Sequence, residues 1–67
     1  MTNLDILEGQ WKKIAGKARE QWGNLTDDDL ARVEGRAERL AGLIQEKYGV
    51  ALEEARRSAH EFFEKYR

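Results

Sequence analysis

Apolar residues recur every three or four positions along most of the chain, with charged residues between them. This spacing places the apolar side chains on one face of an α-helix. Breaks near Gly23 and Gly49 divide the pattern into three stripes, and Trp11 lies at the centre of the first, where we expect it to be a core residue. The stripes comprise Leu4, Leu7, Trp11, Ile14, Ala18 and Trp22; Leu30, Val33, Ala37, Leu40, Ile44 and Tyr48; and Leu52, Ala55, Ala59, Phe62, Phe63 and Tyr66. No strand-like alternation is present, so the sequence predicts an all-α bundle with helices at about 4–22, 27–48 and 51–66.

The glycines follow a repeat of their own. They form two triplets with a spacing of seven residues, namely Gly9, Gly16 and Gly23, then Gly35, Gly42 and Gly49. The second triplet lies 26 positions after the first, as from Gly9 to Gly35, and a glutamate precedes the first glycine of each. The apolar positions shift by the same interval. The pattern therefore indicates two copies of one helical unit, followed by a C-terminal segment.

Local signals mark the ends of the predicted helices. Gly23 and Gly49 each follow a stripe, where glycine ends a helix by adopting the left-handed conformation. Thr26 precedes the second stripe and is predicted to cap it, with the acidic run 27–29 in the first turn, where the helix dipole favours negative charge. Ala51 offers no capping oxygen, so the third helix has a weaker start signal.

Four glycines lie inside the helical patterns and need an explanation. Gly9, Gly16, Gly35 and Gly42 each cost about 1 kcal/mol relative to alanine in a helix interior. Three explanations remain open. The helices break or kink near Gly9 and Gly35, giving four or five helices and a split within 27–48. Alternatively, another helix or a partner packs closely on the glycine face, or the domain is weak and folds only under some conditions.

Composition limits the class of protein. The 67 residues suffice for one domain, 1–67, and the absence of cysteine excludes disulfides and thiolate metal sites. The 12 basic and 13 acidic residues give a net charge of −1, whereas a nucleic-acid-binding protein normally has a basic excess. The first five residues lack the features of a signal peptide, and no apolar run is long enough to span a membrane. We expect a cytoplasmic location.

Candidate chemistry is sparse. His60 is the only histidine, with Glu61 and Glu64 nearby, but no second histidine or cysteine accompanies it, which favours a solvated surface histidine. The carboxylates of residues 27–29 point about 100° apart on a helix and cannot all converge on one cation. No phosphate-binding loop or catalytic triad pattern is present. We therefore predict no catalytic, metal or cofactor site.

A few aromatic and aliphatic residues are candidates for a partner surface. Trp22 and Tyr48 occupy equivalent repeat positions just before a glycine, and we expect them to be half exposed. Of Phe62 and Phe63, one should face inward while the other lies near the surface. With Leu43 near the glycine face, these give a predicted interaction surface of Trp22, Leu43, Tyr48 and Phe63.

These motifs together resemble a known family. The segments concerned are residues 8–13, 16–17, 20–23, 25–29, 34–35 and 45–49. They closely resemble the CsbD-like family of small bacterial stress proteins. The resemblance implies a small helical domain, abundant or induced under general stress in the bacterial cytoplasm, with no established activity, substrate or cofactor. Two residues depart from the family pattern: Leu43 stands where relatives usually carry lysine, and Ala51 where they carry a serine-type cap.

Two hypotheses for the function follow. The first is a non-catalytic stress-response protein that acts as a helical interaction module, with an unidentified protein partner or by self-association. The second is a hydrophilin-like protectant that is marginally folded and shields other proteins during desiccation or osmotic stress. The 37% of charged residues and the six glycines motivate the second hypothesis. An enzyme or a metalloprotein is the least favoured class.

Overall fold

The computed structural model describes residues 5–66, which form four helices. They are α1 (Glu8–Gln21), α2 (Asp27–Val33), α3 (Ala37–Tyr48) and α4 (Leu52–Tyr66). Residues 5–66 contain no strand, and the predicted all-α class is confirmed. The first helix begins at Glu8 rather than near position 4, because Leu7 has an extended backbone and serves as its N-cap residue. Leu4 lies outside the described residues.

The predicted break within 27–48 is confirmed at residues 34–36. Glu34 and Gly35 have positive φ angles of 54° and 78°, a left-handed conformation that cannot continue a helix. The amide of Arg36 then donates a hydrogen bond to the carbonyl of Val33 at 3.0 Å, which closes the turn. The second repeat unit therefore contains two helices, a seven-residue α2 and the longer α3.

The predicted cap at the start of α2 is also confirmed, and it is a reciprocal one. The hydroxyl of Thr26 accepts from the amide of Asp29 at 3.0 Å, and the Asp29 carboxylate accepts from the amide of Thr26 at 3.0 Å. This capping box satisfies two amides that the helix geometry leaves without backbone partners. Asp27 and Asp28 fill the rest of the first turn, as expected.

The two glycines that follow the longer helices behave differently. Gly49 has a φ of 69° and its amide donates to the carbonyl of Gln45 at 2.9 Å, so its role as a left-handed helix end is confirmed. Gly23 does not have a positive φ, and the same prediction is wrong there. The chain instead turns through a bond from the amide of Leu25 to the carbonyl of Trp22 at 3.0 Å. In this turn the side chains of Trp22 and Leu25 both lie in the core.

One hydrophobic cluster joins the four helices. Trp11 lies within it, as predicted, and its indole nitrogen donates to the carbonyl of Leu30 at 2.8 Å. This bond satisfies the polar atom of a buried indole while its ring fills the core. The buried members are Ile6, Trp11, Ala18, Trp22, Leu25, Leu30, Val33, Ala37, Leu40, Ala41, Ile44, Ala55, Ala59, Phe62 and Phe63.

Both phenylalanines of α4 face inward, so the prediction of an exposed Phe63 is wrong. The Phe62 ring lies 5.2 Å from that of Trp22 and 4.7 Å from that of Tyr66, measured between centroids. The Phe63 ring lies 5.5 Å from that of Trp11. Consecutive helical side chains diverge by about 100°. The buried face of α4 is wider than 100°, because side chains from α1 pack against α4 as well as those from α3.

Three glycines remain inside helices with open space beside them. A Cβ atom added at Gly9, Gly16 or Gly42 would meet no atom within 4 Å. No described helix of this chain therefore packs closely on them. Gly9 lies in the first turn of α1, next to a helix boundary as the first explanation proposed. Gly16 and Gly42 are helix-interior glycines whose cost no contact within the described residues offsets.

Candidate interaction surface

Of the predicted surface residues, Leu43 lines a groove between α2 and α3. It has a volume of about 340 Å³ and is lined by Arg32, Val33, Arg39, Gly42, Leu43 and Glu46. Val33 belongs to the core, and Leu43 is half-buried and packs against the same cluster. Because Gly42 has no side chain, nothing covers the floor beside Leu43. The groove offers a small apolar floor with charged walls.

Ion pairs within the chain hold the arginines of these walls. Arg39 lies 2.5 Å from a carboxylate oxygen of Glu34 and also donates to the carbonyl of Arg32 at 3.2 Å. Arg32 pairs with Asp29 at 3.1 Å. These bonds link the end of α2 to α3. Each pair is exposed on at least one side and adds little stability, but the two pairs place both guanidinium groups along the walls of the groove.

Asp29 is the one buried charged residue within the described chain, and it is fully engaged. Besides the capping box and Arg32, its carboxylate lies 3.3 Å from the ammonium group of Lys47 on α3. The hydrogen bond from the backbone of Thr26 lowers the pKa of Asp29 below its ordinary value of 3.8, and Lys47 lowers it further, whereas burial raises it. The carboxylate is thus held ionised as a structural link between α2 and α3.

The other predicted surface residues do not join Leu43. Trp22 is only 7% exposed and Phe63 is fully buried, so neither offers a face to a partner, and the prediction of a half-exposed Trp22 is wrong. Tyr48 is 39% exposed, as predicted, and its hydroxyl accepts from the amide of Asn24 at 3.0 Å. Leu43 and Tyr48 are five residues apart on α3, which separates their side chains by about 140° around the helix.

The candidate chemical groups are occupied by structural contacts. His60 is partly exposed, and its Nε2 atom lies 3.9 Å from Glu38, which also accepts from Arg56 at 3.2 Å. Asp27 pairs with Arg19 at 2.7 Å on the surface. Within residues 5–66, no group of three or more histidine, cysteine or acidic side chains is arranged to hold a metal ion.

Three buried core residues escaped the sequence analysis, namely Ile6, Leu25 and Ala41. Ile6 and Leu25 are buried in the core, although neither fits a helical stripe. Ile6 lies beside Leu7, and the helical spacing selected Leu7, which is 76% exposed. Leu25 lies in a turn. The adjacent apolar residues at 6 and 7 were the signal that could have identified Ile6, because either of them could fill a single core position.

The architecture is that of a small domain of four helices around one aromatic core. Among the described residues, no helix has the length and apolar character required to cross a membrane. The sequence pattern of the CsbD-like family matches residues 5–57. The chain therefore belongs to the CsbD-like family.

Curated relatives match over most of their length. A UPF0337 protein of Bordetella pertussis is 59% identical over 63 residues, covering 94% of this chain and 96% of the relative. A UPF0337 protein of Pseudomonas aeruginosa is 47% identical over 60 residues, which covers 90% and 92%. The UPF0337 protein YjbJ of Salmonella typhimurium is 49% identical over 55 residues, covering 82% and 79%.

Proposed function

We propose that this chain is a cytoplasmic bacterial stress-response protein without catalytic activity, and that it acts as a helical interaction module. The observation that carries the proposal is the groove between α2 and α3, where Leu43 and Gly42 leave an apolar floor between charged walls. Small apolar depressions with a polar rim are typical of surfaces that receive one side chain of a partner.

The engagement of polar groups supports a binding role over a chemical one. Asp29, whose pKa is the most clearly perturbed by its surroundings, serves a helix cap and two ion pairs. His60 faces Glu38 rather than a nucleophile. Groups poised for catalysis combine a perturbed pKa with an open cleft and a reacting partner, and here the two features lie apart.

Complementation under stress tests this proposal. The gene is deleted, and the strain is challenged by osmotic, acid and stationary-phase stress, with wild-type, Leu43→Glu or Leu52→Glu chains supplied in trans. Leu52 is the matched control, because it is an exposed leucine on α4, away from the groove. We expect loss of survival on deletion, rescue by wild type and Leu52→Glu, and no rescue by Leu43→Glu. Unchanged survival on deletion under every stress contradicts the stress role, and rescue by Leu43→Glu contradicts the groove.

A second candidate function has its own supporting observation. Gly16 and Gly42 weaken α1 and α3 without a compensating contact among residues 5–66, as expected for a protectant that is only marginally folded. A protectant of this kind gains helix on drying and preserves the activity of unrelated enzymes. Desiccation of a test enzyme with wild-type chain and with the doubly substituted Gly16→Ala/Gly42→Ala chain decides this. Protection by wild type that weakens in the more helical variant supports it, and no protection by either chain eliminates it.

A further inference from the structure

Residues Asp5–Leu7, here called the N-terminal strap, lie across the turn that joins α2 to α3. The amide of Ile6 donates to the carbonyl of Gly35 at 2.7 Å, and the Asp5 carboxylate accepts from the amide of Ala37 at 3.1 Å. The Ile6 side chain is buried in the core, whereas Leu7 points outward. Three contacts of different kinds thus hold a segment that belongs to no helix.

The strap completes the start of α3. Arg36, the N-cap residue of that helix, makes no side-chain capping bond, so the carboxylate of Asp5 supplies one from a distant part of the sequence. A carboxylate at a helix N-terminus both accepts from a free amide and interacts favourably with the helix dipole. The first turn of α3 therefore depends on a segment 32 positions away in the sequence.

The turn beneath the strap fits it closely. Gly35 has a φ of 78°, and a Cβ atom there would overlap the carbonyl oxygen of Ile6 and come within 3.5 Å of the Cβ atom of Trp11. The backbone of the strap therefore rests directly on the backbone of the turn. Close contact of this kind is lost all at once when the strap moves away, because no flexible side chain can maintain it.

Few contacts hold the strap to the rest of the described chain. One buried side chain and two hydrogen bonds hold it against the α2–α3 turn, and water can replace these two bonds when the strap leaves the surface. A third bond, from the amide of Trp11 to the carbonyl of Leu7 at 2.8 Å, joins the last residue of the strap to α1. Segments with few buried contacts open with a lower free energy than the whole domain. The helices retain their own packing, because the aromatic cluster lies on α1 and α4.

We propose that the N-terminal strap opens as one unit while the four helices stay folded, as a conformational switch. Closed, it caps α3 and buries Ile6. Open, it uncaps the first turn of α3 and presents Ile6 beside Leu7 as an exposed aliphatic pair. The proposal concerns a motion of the strap and stands independently of the proposed function.

Amide hydrogen exchange of the full chain, followed residue by residue by NMR, tests the switch. We expect the amides of Ile6 and Ala37 to exchange through one shared opening, faster than the amides of Ile44 and Ala59 in the centres of α3 and α4. The Ile6 and Ala37 amides form the two bonds between the strap and the α2–α3 turn, so opening of the strap as a single unit releases both. Exchange of these two amides only at the rate of global unfolding, or by two unrelated openings, overturns the proposal.

A pair of neighbouring substitutions sharpens the test. Ile6→Ala removes the buried anchor and should speed exchange at Ala37 by about tenfold or more, while the Ala59 amide changes much less. Leu7→Ala is the matched control, because it shortens an exposed aliphatic side chain of the same segment, and it should leave Ala37 unchanged. Equal effects of the two substitutions contradict the strap as an anchored unit.

A surface substitution keeps the test valid if Ile6→Ala unfolds the chain. Asp5→Ala removes only the capping carboxylate and should speed exchange at Ala37 and at residue 6 together, by roughly five- to tenfold. Asp28→Ala is its control, since Asp28 is an exposed aspartate in the first turn of α2. Faster exchange at Ala37 without any change at residue 6 contradicts opening as one unit.

Discussion

Residues 8–9 and 34–35 are both Glu-Gly and occupy equivalent positions in the 26-residue repeat, yet one pair begins a helix and the other ends one. Gly9 is helical and open to its surroundings. Gly35 has a left-handed backbone with the strap packed on it. The same two residues therefore take the conformation that their surroundings select.

The preceding residues explain the difference. In the second copy, the capping box at Thr26 starts α2 early, so that a helix has already formed when the chain reaches Glu34. In the first copy, residues 5–7, which are equivalent to residues 31–33 of α2, are not helical, and α1 begins only at Glu8. A glycine near a helix boundary accepts either role, and tertiary contacts choose between them.

The largest expected difference in stability between the two copies concerns the aromatic residue that precedes the last glycine of each copy. Trp22→Ala should cost about 3–5 kcal/mol, because a buried ring against Phe62 is lost. The equivalent Tyr48→Ala should cost only about 1 kcal/mol, since that ring is partly exposed. Urea unfolding followed by circular dichroism measures both. If Trp22→Ala leaves the chain unfolded, Trp22→Phe replaces it in the comparison. A smaller cost for the substitution of Trp22 than for Tyr48→Ala contradicts the structure.

The two Glu-Gly pairs should respond to alanine with opposite signs. Gly35→Ala should cost about 2–4 kcal/mol, because the left-handed backbone is strained and the new Cβ displaces Ile6. Gly9→Ala should stabilise the domain by up to about 1 kcal/mol, since its position is helical and open. Free energies of unfolding from urea titrations give the signs.

Gly49→Ala separates the two contributions to the cost of Gly35→Ala, which are backbone strain and the displacement of Ile6. Gly49 has a similar positive φ, but a Cβ atom there meets nothing within 4 Å. It should therefore cost only about 1–2 kcal/mol, from backbone strain alone. Equal costs at Gly35 and Gly49 would mean that the strap contributes nothing measurable.

The interior glycines should behave alike in both copies. Gly16→Ala and Gly42→Ala should each stabilise the domain by about 0.5–1 kcal/mol, and their effects should add, because they lie on different helices. Thermal unfolding of the single and double variants measures this. Destabilisation by either one contradicts the open space observed beside these residues.

The smallest expected effect concerns the capping of α2. Its N-cap residue makes side-chain hydrogen bonds, whereas that of α1 makes no side-chain capping bond. The pKa of Asp29 is lowered in the folded chain, so its stabilising effect is complete above its ordinary pKa of 3.8 and is lost as the pH falls through the lowered value. Asp29→Asn should reduce the acid sensitivity of the urea midpoint between neutral pH and about pH 3. Asp28→Asn should retain it, and equal pH profiles for the two variants contradict the role of Asp29.

Periodicity and caps were sufficient to predict the helices, because both act within a few residues. The stripe at 30–48 predicted the core face of α2 and α3, and Thr26 marked the start of α2. The break near Gly35 was one of three explanations that the sequence left open, since glycine in a helical pattern often marks a boundary. Helical wheels alone therefore accounted for most of the core.

Contacts between distant residues could not be predicted in the same way. The strap joins Asp5 and Ile6 to residues some 30 positions later, and no local pattern encodes that pairing. Trp22 and Phe63 were misplaced for the same reason, because Trp22 is buried against Phe62 and Phe63 against Trp11, residues far away in the sequence. Of the predicted surface, only Leu43 and Tyr48 remain accessible, on different sides of α3.

The central claim, that the two Glu-Gly pairs have opposite backbone roles, is tested most directly by NMR of the full chain. Backbone chemical shifts and amide contacts should show continuous helix from residue 8 to residue 21, a left-handed break at Glu34 and Gly35, and the Ile6 amide next to the Gly35 carbonyl. Helical shifts that run unbroken from residue 27 to residue 48, with no contact between Ile6 and Gly35, would contradict the account.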